Sequence, residues 1–135
     1  MDTTKKNIKM SEKAEEIQEL WKPKEYDDIA VNLSGKWHIE KYPPSLMPQQ
    51  FSGYVIWLPR QDQLQEMTDL KTYEKLTAFS HEVLQLVLDM NEGSRKTFGD
   101  VTNQYSMEQL WLAFVMHEKY GKVWNEEKEE WMNQE

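Results

Sequence analysis

The segment from Tyr105 to Gly121 constrains the fold more than any other part of the sequence. Ser106 followed three residues later by Gln109 is the pattern of a helix capping box, and Gly121 is typical of the residue that ends a helix. Between these two signals nearly every position is apolar. Because a helix that is apolar on all sides must be covered on all sides, the segment predicts a central helix at 106–120 around which the rest of the chain packs.

Three further helices are predicted around this one. A short helix at 62–67 follows a proline, and residues 69–90 carry apolar side chains at helical spacing. Near the N-terminus, Ser11 is the predicted cap of a short helix that ends before Pro23. We expect roughly the first ten residues, which are polar, to be disordered.

Two segments have the composition of β-strands. Lys36–Tyr42 alternates apolar and polar residues, and Gly53–Leu58 is almost entirely apolar, as in a strand covered on both faces. The proline-rich stretch between them, Pro43–Ser52, is too long for a tight hairpin and predicts an extended excursion. At the C-terminus, Lys122–Trp124 predicts a further strand that pairs with Trp131 across a turn. A charged helix is the alternative there.

These signals predict an α+β fold, with a small two- or three-stranded antiparallel sheet packed on about three helices and an N-terminal helical arm. The arm is placed at residues 1–28, partly disordered, and a single compact domain at residues 29–135. Six Trp, six Tyr and four Phe supply much of the core of this 135-residue chain. The predicted core residues are Trp57, Leu64, Leu76, Phe79, Val83, Leu110, Trp111, Phe114 and Val115.

The residues that usually carry catalysis or bind metals form no recognisable motif in the sequence. Cysteine is absent, and there is no glycine-rich phosphate loop. His81 and His117 are each followed by glutamate, but neither has a second histidine four residues on, as the zinc-protease helix requires. His38 lies on a predicted strand, so the three histidines can meet only through tertiary folding. We therefore predict no catalytic residue, no metal ligand and no cofactor.

Charge and hydropathy argue against several classes of partner. The net charge of −8 is unfavourable for nucleic-acid binding, because phosphate recognition needs clustered Lys and Arg. Trp37 and Trp57 on the predicted strands are better explained as core than as a base-stacking platform. The longest apolar runs, Tyr54–Pro59 and Leu110–Met116, are far shorter than the roughly 20 residues of a membrane span. The polar N-terminus lacks the pattern of a secretory signal, so a cytoplasmic location is expected.

The excess negative charge is concentrated at the C-terminus, where residues 108–135 carry seven acidic and three basic side chains. Such a run is either a solvated tail or an acidic surface that attracts a basic partner. A nearby Trp is a frequent interface anchor. The candidate partner surface consists of Glu126, Glu127, Glu129, Glu130 and Trp131.

Two segments, Trp57–Met67 and Ser106–Trp124, resemble small uncharacterised phage and prophage proteins of Gram-positive bacteria. The resemblance covers the chain from Trp57 onward, and the N-terminal arm departs from it. The resemblance implies that the chain is a small accessory protein in the cytoplasm of a bacterial host cell. It transfers no activity and no functional residue.

Three functions are compatible with these observations. The predicted one is a non-enzymatic accessory protein of phage or prophage type, a monomer or homodimer, that binds another protein. The second is an acidic inhibitor that mimics nucleic acid in a host enzyme, which requires the carboxylates of residues 118–135 to line one face. The third is a small enzyme, which requires His38, His81 or His117 within hydrogen-bonding reach of a carboxylate in a pocket.

Overall fold

The computed structural model describes residues 2–33, 35–43, 55–70, 72–90 and 105–133, with the backbone alone at 72 and 83–90. The helices of these residues are α1 (Lys5–Lys13), α2 (Glu15–Leu20), α3 (Gln61–Glu66), α4 (Thr72–Met90) and α5 (Met107–Tyr120). The strands are β1 (Asp28–Leu33), β2 (Lys36–Lys41), β3 (Val55–Trp57), β4 (Lys122–Asn125) and β5 (Glu130–Asn133). The α+β class predicted from the sequence is confirmed.

Helix α5 is the centre of the fold, as predicted. The Ser106 hydroxyl accepts a hydrogen bond from the Gln109 N–H at 3.1 Å, and the Gln109 side chain accepts one from the Ser106 N–H at 3.3 Å. Gly121 ends the helix in the left-handed conformation, with φ of 63°. Every residue from Gln109 to Met116 is buried. The reason is that α1, α3, α4 and β4 all pack against this helix.

A three-stranded antiparallel sheet has the order β2-β1-β3, so β1 is its central strand. Ala30 in β1 pairs with Ile39 on one side and with Ile56 on the other. The two strands predicted from the sequence are therefore not neighbours, because β1 lies between them. Sequence reasoning missed β1: its apolar run, Ile29–Val31, is short and is bounded by polar residues that are depleted in strands.

Asp27, which directly precedes β1, connects the sheet to two helices. Its buried carboxylate accepts hydrogen bonds of 2.9 Å from the Trp21 indole, the Lys24 backbone N–H and the Gln63 side-chain amide. Burial raises the pKa of the Asp27 carboxyl, but these hydrogen bonds and the nearby Arg60 charge outweigh burial and hold the pKa below its ordinary value. The carboxylate thus ties the end of α2 and the start of α3 to the central strand.

The N-terminal helix starts earlier than predicted. Thr4 is its cap, since the Thr4 hydroxyl accepts from the Asn7 N–H at 3.2 Å, and Ser11 lies buried inside α1. The prediction of a Ser11 cap is therefore wrong, and most of the segment that was expected to be disordered is placed in α1. The reason is tertiary: Ile8 is 3% exposed against the sheet, and Met10 is fully buried in the apolar cluster of α5. These contacts stabilise a helix whose own apolar content is sparse.

The short helix α2 follows α1 after a break at Ala14. Met10, Ala14 and Ile17 belong to the same apolar cluster as Trp111 and Phe114 of α5. Within the described residues, the arm is therefore packed on the core. Whether residues 29–135 fold without residues 1–28 stays a prediction.

The C-terminal residues form the hairpin and not the charged helix. Trp124 of β4 is directly opposite Trp131 of β5, with ring centroids 5.2 Å apart. The Trp131 indole N–H donates to the Met10 carbonyl at 2.9 Å. This bond fixes the hairpin to α1, far away in the sequence.

The predicted core is confirmed at most of its positions. The predicted residues that are buried are Trp57, Leu64, Phe79, Leu110, Trp111, Phe114 and Val115. Phe79 stacks on Trp111 with ring centroids 4.2 Å apart, which joins α4 to α5. Leu76, in contrast, is 57% exposed and Tyr73 is 80% exposed, so the prediction for Leu76 is wrong. Helical spacing identifies an apolar stripe, but not how far along the helix a neighbour covers it.

Some predictions lie outside the described residues. They concern the excursion at 44–52, Gly53 and Tyr54, the segment 91–104 and the burial of Val83. Among the residues that the structure describes, no helix combines the length and apolar character needed to cross a bilayer.

Candidate functional site

Four of the predicted partner residues lie together at the tip of the C-terminal hairpin. Glu126, Glu127 and Glu129 belong to the turn, and Glu130 begins β5. Glu127, Glu129 and Glu130 are exposed, whereas Glu126 is half-buried. Trp131 is only 9% exposed and packs inward. The structure thus brings the four glutamates to one surface and places Trp131 beneath it.

Glu126 connects this turn to α1 and to the start of α5. Lys6 Nζ lies 2.6 Å from Glu126 Oε1, and the Tyr105 hydroxyl donates to the same oxygen. The Lys6 ammonium also lies 3.9 Å from the centroid of the Tyr105 ring. Burial raises the pKa of the Glu126 carboxyl, but the hydrogen bonds from Lys6 and Tyr105 and the charge of Lys6 outweigh it, so the pKa lies below its ordinary value.

A cleft of about 420 Å³ lies between α1 and the hairpin turn. Its floor is apolar and consists of Ile8, Trp37 and Trp124. Ile8 and Trp124 are buried, but Trp37, which was expected in the core, is only partly buried. The charged residues that line the cleft are Lys5, Lys6, Lys9, Glu12, Glu126 and Glu129.

The two walls of the cleft carry opposite charges. Three lysines and Glu12 of α1 give one side a net positive charge, and Glu126 and Glu129 of the hairpin make the other side negative. Lys9 Nζ is 3.9 Å from Glu129 Oε2, and both side chains are substantially exposed. The surface is therefore mixed in charge and not a continuous acidic stripe. An apolar floor with a charged rim is the arrangement typical of protein-binding surfaces.

A second cluster of titratable residues lies where α4 meets α5. Glu82 of α4 and the adjacent His117 and Glu118 of α5 each contribute one ligand atom, and these atoms all lie within 4.8 Å of one another. His117 Nδ1 is 3.9 Å from Glu118 Oε1, which is beyond direct hydrogen-bonding reach. The imidazole nitrogen and the two carboxylates are the donor set of a candidate metal centre.

The two carboxylates of this cluster affect each other's ionisation. A hydrogen bond to Glu118, together with burial and the Glu118 charge, raises the pKa of Glu82 to about 7. At a pH below this value, Glu82 carries a proton that it donates to Glu118. The proximity of the two carboxylates favours a state in which they share a proton or a cation.

Sequence reasoning predicted no metal ligand and did not identify this cluster. His38 and His81 are exposed and do not join it. The one signal that pointed to it was the repeated His–Glu pair, at 81–82 and 117–118, on two predicted helices. The packing of α4 on α5 brings Glu82, but not His81, next to His117 and Glu118, and the sequence does not reveal this packing.

Comparison with known proteins adds no relative to this description. No protein-family model matches the chain, and neither the curated proteins nor the solved structures include a significant match.

Proposed function

We propose that this protein is a non-enzymatic accessory protein of phage or prophage type that acts in a bacterial cytoplasm by binding another protein. The partner occupies the cleft between α1 and the hairpin. The observation that carries this proposal is the apolar floor of that cleft between two oppositely charged walls. The phage context comes from the sequence resemblance alone.

The floor of the cleft supplies the binding free energy. A partner side chain that enters the cleft packs on Ile8, Trp37 and Trp124. Ile8 and Trp124 are already buried, so the apolar surface removed from water is that of the partner side chain and of the partly exposed Trp37. Full burial of a Leu- or Phe-sized side chain contributes about 1.5–3 kcal/mol. Aromatic residues in such positions are typical hot spots, and the surrounding charged rim excludes water and fixes orientation.

The walls of the cleft indicate the chemistry of the partner. Lys9 and Glu129 form an exposed pair at 3.9 Å, and exposed pairs of this kind contribute little. A partner with an acidic group toward Lys9 and a basic group toward Glu129 replaces this weak pair with two interactions of its own. The partner segment therefore carries an apolar side chain flanked by charges of both signs.

The two alternative functions have less support. A nucleic-acid mimic needs a row of free carboxylates, but Glu126 is paired with Lys6, and Lys9 stands beside Glu129. A small enzyme needs a histidine within hydrogen-bonding reach of a carboxylate in a pocket, but His38 and His81 are exposed, and no histidine is among the described residues that line the cleft.

Site-specific photo-cross-linking tests the proposal. Lys9 is replaced by the photoreactive amino acid p-benzoylphenylalanine, and the protein is irradiated in the cytosol of a Gram-positive bacterium. We expect one heterologous adduct of defined mass, because position 9 lines the cleft. Lys22, which is exposed and outside the cleft, is the matched control and should give no such adduct.

A second variant tests whether the cleft itself is responsible. Trp37→Ala, combined with the photoreactive residue at position 9, removes part of the cleft floor and should abolish the adduct while the protein still unfolds cooperatively. The proposal is contradicted by equal adducts at positions 9 and 22, by an adduct that survives Trp37→Ala, or by an adduct that contains only two copies of this chain.

A further inference from the structure

The contact between α4 and α5 places three metal-binding side chains at one point on the surface. Glu82 comes from α4, and His117 and Glu118 come from the last turns of α5. Their ligand atoms all lie within 4.8 Å of one another. The cluster is on neither wall of the cleft described above, so its properties are independent of the proposed partner.

The distance between His117 and Glu118 fits two ligands of one metal ion better than a hydrogen bond between the two side chains. His117 Nδ1 and Glu118 Oε1 are 3.9 Å apart. That is too long for a hydrogen bond, but shorter than the sum of one metal–nitrogen bond and one metal–oxygen bond, about 4.0–4.3 Å in zinc sites. One ion can therefore contact both atoms without a change in the backbone of α5.

The negative charge of the two carboxylates in the cluster also favours the binding of a cation. Glu82 Oε2 is buried, and among the residues that the structure describes no N–H or hydroxyl group donates to it, so the neighbouring group that interacts with the Glu82 carboxyl is Glu118. Within the same residues, no Lys or Arg forms an ion pair with Glu82 or Glu118. A metal ion in place of the shared proton would contact both carboxylates and compensate their negative charge.

We propose that Glu82, His117 and Glu118 bind one divalent transition-metal ion of the zinc class. The imidazole nitrogen favours such an ion over Mg²⁺ or Ca²⁺, which prefer sets made of oxygen ligands alone. Because Glu118 is exposed, solvent fills the remaining coordination positions. The ion joins α4 to α5 and stabilises this helix contact.

Titration calorimetry of the tag-free full chain with ZnCl₂ and, separately, with MgCl₂ tests this site. We expect one Zn²⁺ per chain and at least about tenfold weaker affinity for Mg²⁺. His117→Ala and Glu82→Gln should each weaken Zn²⁺ binding by at least about tenfold. His81→Ala and Glu66→Gln are the matched controls, since both residues are exposed and outside the cluster, and they should bind as the wild type does.

A stability measurement separates loss of the site from loss of the fold. Zn²⁺ should raise the melting temperature of the wild type and of His81→Ala, but not that of Glu82→Gln. Without metal, Glu82→Gln should melt close to the wild type, because glutamine keeps the size of the side chain and its amide can donate to Glu118 as the protonated Glu82 carboxyl does. Zinc binding that is unchanged in His117→Ala, or equally weakened in His81→Ala, would overturn the proposal.

Discussion

Glu126 serves the fold and the surface at the same time. Its carboxylate joins Lys6 of α1 to Tyr105 before α5, yet its side chain keeps 33% of its surface exposed beside the cleft. The sequence indicated Glu126 only as one member of an acidic run. Its individual role follows from Lys6 and Tyr105, which are distant in the chain, and no local pattern identifies such partners.

The Glu126 interactions predict a specific pH dependence of stability. The pKa of Glu126 in the folded state lies below its ordinary value of 4.5, so its ionised form stabilises the fold above pH 4.5. This stabilisation is lost as the pH falls through the folded-state pKa. At pH 7 the wild type should exceed Glu126→Gln in free energy of unfolding by about 1 kcal/mol, a modest value because the pair is partly solvated.

Urea denaturation at a series of pH values measures this difference. The difference in free energy of unfolding between the wild type and Glu126→Gln should shrink steadily below pH 4.5. Glu127→Gln, at an exposed neighbouring position, should have almost the same free energy of unfolding as the wild type. A difference that stays constant or grows on acidification would show that Glu126 does not act through its charge.

The elements differ in how far the sequence predicts them. Helix α5 was predictable because its caps and its apolar residues are all local. Strand β1 and helix α1 were not, because β1 is short and α1 is mostly polar, and both are stabilised by neighbours from elsewhere in the chain. The hairpin was one of two alternatives, and the packing of Trp131 on α1 decides between them.

Phe114→Asp tests the central position of α5. Phe114 is fully buried and packs edge-on against Trp111 and Phe79. An unpaired charge there costs several kcal/mol, which is comparable to the stability of a small domain, so the variant should be unfolded by circular dichroism. Leu76→Asp, on the exposed part of α4, is the control and should melt cooperatively. A folded, cooperatively melting Phe114→Asp would contradict this assignment.

For the molecule as a whole, the net charge of −8 describes the surface incompletely. The acidic hairpin faces the lysines of α1, and the two walls form a cleft of mixed charge. The sequence indicated the acidic side as a run of glutamates, and the structure places Glu126, Glu127 and Glu129 in one turn. The sequence could not predict the basic side, because roughly the first ten residues, which include the three lysines, were expected to be disordered. It could not predict the floor either, because Trp37 was expected in the core. The cleft forms where the N-terminal helix, the C-terminal hairpin and Trp37 of β2 come together.

Charge reversal at the cleft tests this account most directly. With the cross-linked partner purified, its Kd is measured for the wild type, for Lys9→Glu, for Glu129→Lys and for the double variant. Each single reversal should weaken binding by about tenfold, because it places like charges together. The double variant restores the internal pair with its orientation reversed, so it should be as stable as the wild type but still bind weakly. Wild-type affinity in the double variant would contradict the claim that the partner occupies the cleft.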